Sequence, residues 1–343
     1  VVDSGSYVLG EEVRCFEEEF GKHFGLGACV GVANGTDAIA IALRALGVGT
    51  GDRVATVSHT AVATVAAIEM TGALPVLVDI THDTYTLDPI SLARTLESTG
   101  PVKALVAVHL YGQPADMPRI NSIAQEHGAF VLEDCSQAHG AKLHGQPVGS
   151  IGDVGTFSFY PTKNLGALGD GGMVVTNDTS LTQRARILRE YGWERRYISE
   201  MPGVNSRLDE IQAAVLRTRL PHLDAATERR RAIADAYSDG LSDLNLGLPF
   251  ARTEAFHVYH QYVVRHRRRN EILTHLTAKG IGTNIHYPVP VHRQPAYALR
   301  CPIDPQGLET SDRICSEIFS LPMYPELSDE DVVNVITALR CFF

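Results

Sequence analysis

Through its first two thirds the chain alternates short apolar runs with helical patterns, and this alternation narrows the choice of fold more than any single residue. Ala28–Val32, Arg53–Val57, Leu74–Val78, Ala104–Val108 and Ala129–Leu132 read as strands. Thr36–Leu46, Thr60–Met70, Pro89–Leu96 and Pro118–His127 lie between them and read as helices. Strict alternation of this kind argues for an α/β fold, with a mostly parallel sheet held between helices. Val154–Phe159 and Gly172–Thr176 follow as short strands flanking a glycine-rich turn. From Ser206 to about Ser238 the pattern becomes long and helical, interrupted at Pro221. Beyond it, His257–Val264 alternates like a strand, Glu271–Lys279 is helical, and Ser328–Leu339 closes the chain as a helix. Residues 1–238 are therefore expected to form a large α/β domain and residues 239–343 a smaller α+β domain. The residues from Val1 onward look like the end of a helix.

The turn between the two late strands carries the sharpest chemical signal. Lys163 follows the aromatic run Phe157-Ser158-Phe159-Tyr160 and precedes Gly166, Gly169, Gly171 and Gly172. Glycines let backbone approach backbone closely, so a lysine here can lose its hydration. Desolvation disfavours the ammonium and leaves a nucleophilic amine able to form a Schiff base. Taken alone, the segment also suits a lysine snorkelling from a strand end.

Two other segments supply complementary chemistry. Ala129–Leu132 reads as a buried strand, and Glu133 and Asp134 arrive at its C-terminal end. Ligands bind at that end in open α/β sheets. An aspartate there suits a partner that must stay protonated, such as a ring nitrogen; it equally suits a helix N-cap. The stretch from Gly31 to Ala38, with Asn34, Gly35, Thr36 and Asp37 at its centre, reads as strand end, tight turn and helix start. Its free N–H groups and positive dipole end form a phosphate seat of the kind any βα turn can offer. A phosphate seat, an acid for a pyridinium nitrogen and an amine for an aldehyde are the partners that pyridoxal 5′-phosphate (PLP) requires.

With these segments in place, the chain resembles the DegT/DnrJ/EryC1/StrS group of PLP-dependent aminotransferases, which act on keto groups of nucleotide-linked sugars. The resemblance covers essentially the whole chain, from Ser6-Tyr7-Val8-Leu9-Gly10 to Leu321-Pro322-Met323. Its motifs are His109-Leu110-Tyr111-Gly112, the Asp134–Gly140 segment, the Lys163 segment, Asn205-Ser206-Arg207-Leu208-Asp209-Glu210, and Gly282-Thr283-Asn284-Ile285-His286-Tyr287-Pro288. It implies the aspartate-aminotransferase-like fold, fold type I of the PLP-dependent transferases.

The resemblance also implies roles at matching positions. Lys163 would bind the cofactor and, once freed, move a proton between the amino donor and the cofactor. Asp134 would pair with the ring nitrogen, and Gln137 would hydrogen-bond near the phenolic oxygen. Gly35, Thr36 and Ser158 would hold the phosphate, joined by Asn205 from a neighbouring subunit, so a homodimer with shared active sites is implied. Arg207 would meet a glutamate carboxylate or a nucleotide diphosphate; the sequence equally allows an ion pair with Asp209 or Glu210. His286 and Tyr287 would contact the sugar. Ala61 stands where relatives usually carry an aromatic that stacks on the ring, so either His59 supplies that face or apolar contact alone holds it.

The motifs at the two ends most resemble the branch that aminates C3 of dTDP-3-keto-6-deoxyhexoses, with L-glutamate as donor. Amination at C4 of a dTDP- or UDP-4-keto-6-deoxy sugar is the alternative. Three rivals come from other classes. A PLP-dependent sugar dehydratase carries histidine in place of the lysine. A class I aldolase would leave Asp134 and the phosphate turn unexplained. A non-enzymatic regulator shares the fold.

Composition sets the remaining bounds. Hydrophobic content of 44% is ordinary for a globular core. The net charge of -10 argues against a nucleic-acid footprint, so Arg229-Arg230-Arg231 and the Arg265–Arg269 run read as solvated faces. No segment reads as a membrane span or a signal peptide. Six cysteines without metal-ligand spacing read as free thiols, with Cys135 a buried filler, which suggests a cytoplasmic setting and no metal.

Overall fold

The computed structural model describes residues 1–343. In chain order the strands are β1 Ala28–Val32, β2 Arg53–Val57, β3 Leu74–Val78, β4 Ala104–Val108, β5 Phe130–Asp134, β6 Lys142–Leu143, β7 Gln146–Pro147, β8 Val154–Ser158, β9 Gly172–Thr176, β10 Trp193–Arg195, β11 Ile198–Ser199, β12 Ala255–Phe256, β13 Tyr262–Arg265 and β14 Ile318–Leu321. The helices are α1 Glu11–Phe24, α2 Gly35–Ala45, α3 Val62–Met70, α4 Pro89–Thr99, α5 Met117–His127, α6 Thr179–Leu188, α7 Glu210–Arg219, α8 Leu223–Leu241, α9 Arg269–Ala278, α10 Glu309–Glu317 and α11 Asp329–Arg340.

Seven strands form the central sheet in the order β1-β9-β8-β5-β4-β2-β3. β9 pairs antiparallel with both β1 and β8, and the pairs from β8 across to β3 are parallel. Alternate side chains enter opposite layers, as a pleated strand requires. In β4, Ala104 and Val106 pack with α2 and α3, whereas Leu105 and Ala107 pack with α4 and α5. Both faces are thus covered, which is why these strands read as continuous apolar runs. A third cluster joins α1 and α7 to Phe157, Met173 and Val175. A separate C-terminal core gathers α8, α9 and α11 around the β13–β14 pair, and includes Ile233, Tyr237, Tyr262, Phe319 and Leu339.

The expected elements of the sheet appear with small shifts at their ends, and the C-terminal part departs further. Only Tyr262–Arg265 of the alternating stretch is a strand. Upstream, Tyr259 adopts φ +42° and donates its N–H to His257 Nδ1 at 2.9 Å, and the two rings stack at 3.9 Å, which folds the segment back on itself. The first residues form a turn rather than a helix end. Residues 206–209 precede the first helical turn of α7, and Pro221 sits in a 3-10 turn between α7 and α8. Arg229–Arg231 is no solvated face. Arg230 is buried, with Nη1 donating to the carbonyls of Tyr259, His260 and Met323, and Arg231 lies 4.3 Å over the Phe256 ring. Guanidinium planes and long stems let these side chains tie α8 to the C-terminal core.

Candidate active site

The carboxyl ends of β1, β4, β5 and β8 reach one edge of the sheet, where a cavity of about 550 Å³ opens. Ligands bind at this edge in α/β sheets. Six of the residues expected from the sequence line the cavity together: Gly35, Thr36, Asp134, Gln137, Ser158 and Lys163.

The phosphate end is built by α2. Asn34 caps the helix, its Oδ1 accepting the Asp37 N–H at 2.8 Å. The amides of the first turn, at Gly35 and Thr36, border the cavity. The fit is tight enough to exclude side chains. A Cβ at Gly35 would stand 2.6 Å from Ser158 Cβ, and one at Gly172 would stand 2.3 Å from the Asn34 carbonyl. The site therefore offers a bare backbone cradle at the positive end of a helix, which fits a phosphate.

Asp134 ends β5 and is fixed from two sides. Thr64 Oγ1 donates to its Oδ2 at 2.9 Å, and the Ser136 N–H donates to its Oδ1 at 3.1 Å. Thr60 and Thr64 hydroxyls lie 3.1 Å apart. Because Thr64 gives its proton to the carboxylate, Thr60 donates to Thr64. Sequence reasoning missed both threonines; their spacing of one helical turn after a β2 end was the available signal.

Lys163 lines the cavity beside Tyr160 and Asp170. Burial lowers its pKa to about 8, against a smaller opposing pull from Asp134. A fraction of free amine is therefore present near neutral pH. Amine, carboxylate and helix N-terminus together fit PLP: the first would meet its aldehyde, the second its ring nitrogen, the third its phosphate.

The remaining expected residues lie elsewhere. Asn205 is exposed, outside the cavity, in a bridge with Glu190. Arg207 pairs with Glu190 at 3.7 Å and sits 5.9 Å over the Tyr191 ring. The expected pairs with Asp209 and Glu210 do not form. Glu210 instead accepts the N–H groups of Gly10, Glu12 and Val13 at the start of α1, a better use of a buried carboxylate. His286 lines an adjoining cavity of about 380 Å³ with Asn284, Ser320 and Thr162, its Nδ1 2.8 Å from Ser320 Oγ. Tyr287 reaches the cofactor side, its hydroxyl 3.2 Å from Gln137 Nε2. His59 is wholly buried and absent from the cavity wall, so Ala61, Val108 and Leu110 provide the apolar lining.

Other polar clusters are structural. His109 Nδ1 accepts the Ala115 N–H at 3.0 Å, so its Nε2–H donates to Glu133 Oε2 at 2.9 Å. Glu133 also accepts the N–H groups of Gly149, Ile151 and Gly152. Burial pushes the neighbouring Cys135 thiol well up, so it stays a thiol rather than a nucleophile. Ser58, His292 and Asp312 have the composition of a hydrolytic triad, yet Ser58 is fully buried and its Oγ accepts the His292 N–H. No helix is long and apolar enough to cross a membrane.

Known proteins resemble this chain along nearly its whole length. The family model described as the DegT/DnrJ/EryC1/StrS aminotransferase family matches residues 1–340. The dTDP-3-amino-3,4,6-trideoxy-alpha-D-glucose transaminase of Streptomyces venezuelae is 47% identical over 342 residues, covering 99% of this chain and 89% of that one. The crystal structure of S. venezuelae DesV superposes with a TM-score of 0.95 at 46% identity, covering 99% and 91% of the two chains. NtdA of Bacillus subtilis, solved with bound cofactor PMP, superposes with a TM-score of 0.91 at 28% identity, covering 99% and 79%.

Proposed function

From the premise that this chain belongs to the DegT/DnrJ/EryC1/StrS aminotransferase family, we propose that it moves the amino group of L-glutamate to C3 of a dTDP-3-keto-6-deoxyhexose. The chain is a PLP-dependent sugar aminotransferase. The observation that carries this reading is the meeting of Lys163, Asp134 and the α2 N-terminus in one cavity. When bound there, PLP supplies a reactive aldehyde and an electron-withdrawing ring.

The chain's own groups do the rest. Lys163 would hold PLP through its amine and, once released, would carry the proton taken from the donor's α-carbon. Asp134, held in orientation by Thr64 and Ser136, would keep the ring nitrogen protonated. Gly35, Thr36 and Ser158 would hold the phosphate, and Gln137 would hydrogen-bond near the phenolic oxygen. Glutamate leaves as 2-oxoglutarate, and the keto-sugar leaves as the amino sugar.

His286 and Tyr287 form the sugar-contacting wall. Support comes from the cavity beside His286, which is lined by neutral polar groups such as Asn284, Thr283 and Ser320, as a carbohydrate requires. The C3 position and the dTDP carrier are supported by the 47% identical relative, whose name specifies a 3-amino dTDP-sugar.

Two copies would share their sites, with Asn205 of each reaching the other's phosphate. Supporting this, Asn205 and Arg207 adjoin Tyr191, and Tyr191, Tyr197 and Ile198 of the neighbouring β10–β11 region are exposed. Exposed apolar groups gathered in this way mark contact surfaces. We also assign residues 1–238 to the cofactor-binding domain and 239–343 to the smaller one; α8 crosses this boundary, and its Ile233, Ala234 and Tyr237 already pack into the C-terminal core.

The test is conversion of dTDP-3-keto-6-deoxyglucose with L-glutamate, with the product's nitrogen located by NMR. Nitrogen on C3 supports the assignment, and nitrogen on C4 or a demand for a UDP-linked sugar rejects it.

A further inference from the structure

Tyr111 lies in the 3-10 turn Leu110–Gly112 that follows β4, and its backbone is held at φ +60°, ψ 4°. A bulky residue in this left-handed region is strained, and such strain persists where the surroundings demand it. Three contacts supply the demand. The Tyr111 N–H donates to Gln137 Oε1 at 2.7 Å. Its hydroxyl lies 2.7 Å from His59 Nε2 and also hydrogen-bonds the His286 carbonyl.

Only one arrangement of protons satisfies this set. The His286 carbonyl can only accept, so the Tyr111 O–H donates to it. His59 Nε2–H must then donate to the Tyr111 oxygen. That leaves His59 Nδ1 as the acceptor for the Cys315 S–H, 3.1 Å away. Burial keeps each link neutral. It lowers the His59 pKa to about 4, raises that of Cys315 to about 12, and pushes the Tyr111 phenol well up. The chain Cys315–His59–Tyr111–His286 therefore runs in one direction from α10 to the second cavity.

The same tyrosine closes a ring on the cofactor side. Gln137 accepts from the Tyr111 backbone, and its Nε2 donates to Tyr287 Oη at 3.2 Å. Both partners of the His286–Tyr287 pair are thus tied to Tyr111, one through its hydroxyl and one through its main chain. We propose that Tyr111 is a positioning residue that sets the distance and angle of the His286–Tyr287 wall relative to the cofactor, and so determines how the keto-sugar is presented. This rests on the reading of His286 and Tyr287 as sugar contacts.

The test measures the two half-reactions separately in the holoenzyme. Tyr111→Phe keeps the ring and the main-chain bond to Gln137 and removes only the hydroxyl. The expected result is about a tenfold loss of kcat/KM for dTDP-3-keto-6-deoxyglucose, most of it in KM, the size of one lost buried hydrogen bond. Glutamate-driven bleaching of the cofactor band should stay within about twofold of the parent, because no group that serves it has moved. His59→Leu frees the hydroxyl to rotate and should show the same split at smaller amplitude; it supplies the test where the phenylalanine variant does not fold. Equal losses in both half-reactions, or none in either, would overturn the proposal. His286→Ala separates the proposal from its premise. A sugar defect in His286→Ala without one in Tyr111→Phe overturns the positioning role alone. No sugar defect in His286→Ala overturns the reading of the wall, and the proposal with it.

Discussion

Thr64 Oγ1 donates to Asp134 Oδ2 at 2.9 Å across 70 residues of sequence, joining the first turn of α3 to the end of β5. A carboxylate that must hold a protonated ring nitrogen needs a fixed direction, and this hydroxyl supplies it. Replacing Thr64 with Val leaves Asp134 held by the Ser136 N–H alone. The expected effect is a fall of roughly tenfold in kcat, the size of one lost hydrogen bond to a charged group. Thr64→Ser should retain most activity. Steady-state rates of the three proteins decide it.

Lys163 should show its lowered pKa in cofactor uptake. Burial is the cause, and it favours the free base above about pH 8. The free base is the attacking form, so the rate at which apo-protein takes up PLP should rise about tenfold per pH unit below that value and level off above it. An exposed lysine would keep rising toward pH 10.4. Stopped-flow absorbance of the visible band reads the profile. Lys163→Ala should lose the band that glutamate bleaches, and activity should drop by at least about 10³-fold.

Gly35→Ala places a methyl group 2.6 Å from Ser158 Cβ and 3.2 Å from its Cα. Neither neighbour can give, because β8 is buried within the central sheet. The first turn of α2 must shift, and the phosphate seat shifts with it. PLP affinity should weaken at least about tenfold, measured by spectral titration of the apo-protein.

Shared active sites would be visible by complementation. Lys163→Ala and Asn205→Ala homodimers should each be weak or inactive. Mixed after subunit exchange, half of the dimers become hybrids in which one site is intact, so about one quarter of the sites recover. Activity that stays at the level of the separate variants would mean that Asn205 serves its own chain.

Asp304 should govern part of the acid stability. Burial alone would raise its pKa, but hydrogen bonds from Arg94, Ser91 and the Gln306 N–H bring it below the usual carboxylate value. A carboxyl depressed on folding adds stability above its unfolded pKa, near 3.9, and that stability is lost as pH falls through the folded value. Asp304→Asn should cost about 1.5 kcal/mol at neutral pH, since it removes the charged acceptor of the partly exposed Arg94 guanidinium. The gap from the parent should close below about pH 4, as seen by thermal unfolding across pH.

Much of the site was legible because its chemistry is local. Asp134 stands at a strand end, Gly35 and Thr36 open a helix, and Lys163 sits among glycines, and each of these follows from a few neighbouring residues. Arg207 was not legible in the same way. Its neighbours in sequence offered Asp209 and Glu210, whereas the fold spends Glu210 on the start of α1 and brings Glu190 to the guanidinium. His59 shows the same limit, since its burial and its tautomer depend on Tyr111 and Cys315, 52 and 256 residues away.

By itself the sequence determined the elements of the α/β layer, the acid, the amine and the phosphate turn, because propensity, periodicity and backbone freedom act over a few residues. Tertiary structure alone decided the strand order β1-β9-β8-β5-β4-β2-β3, which carries Gly35, Asp134 and Lys163 to one edge. It also decided which hydroxyl orients Asp134 and which tyrosine holds the His286–Tyr287 wall. Those choices depend on hydrogen-bond direction and burial between segments far apart in the chain, and packing fixes both only once the layers have closed.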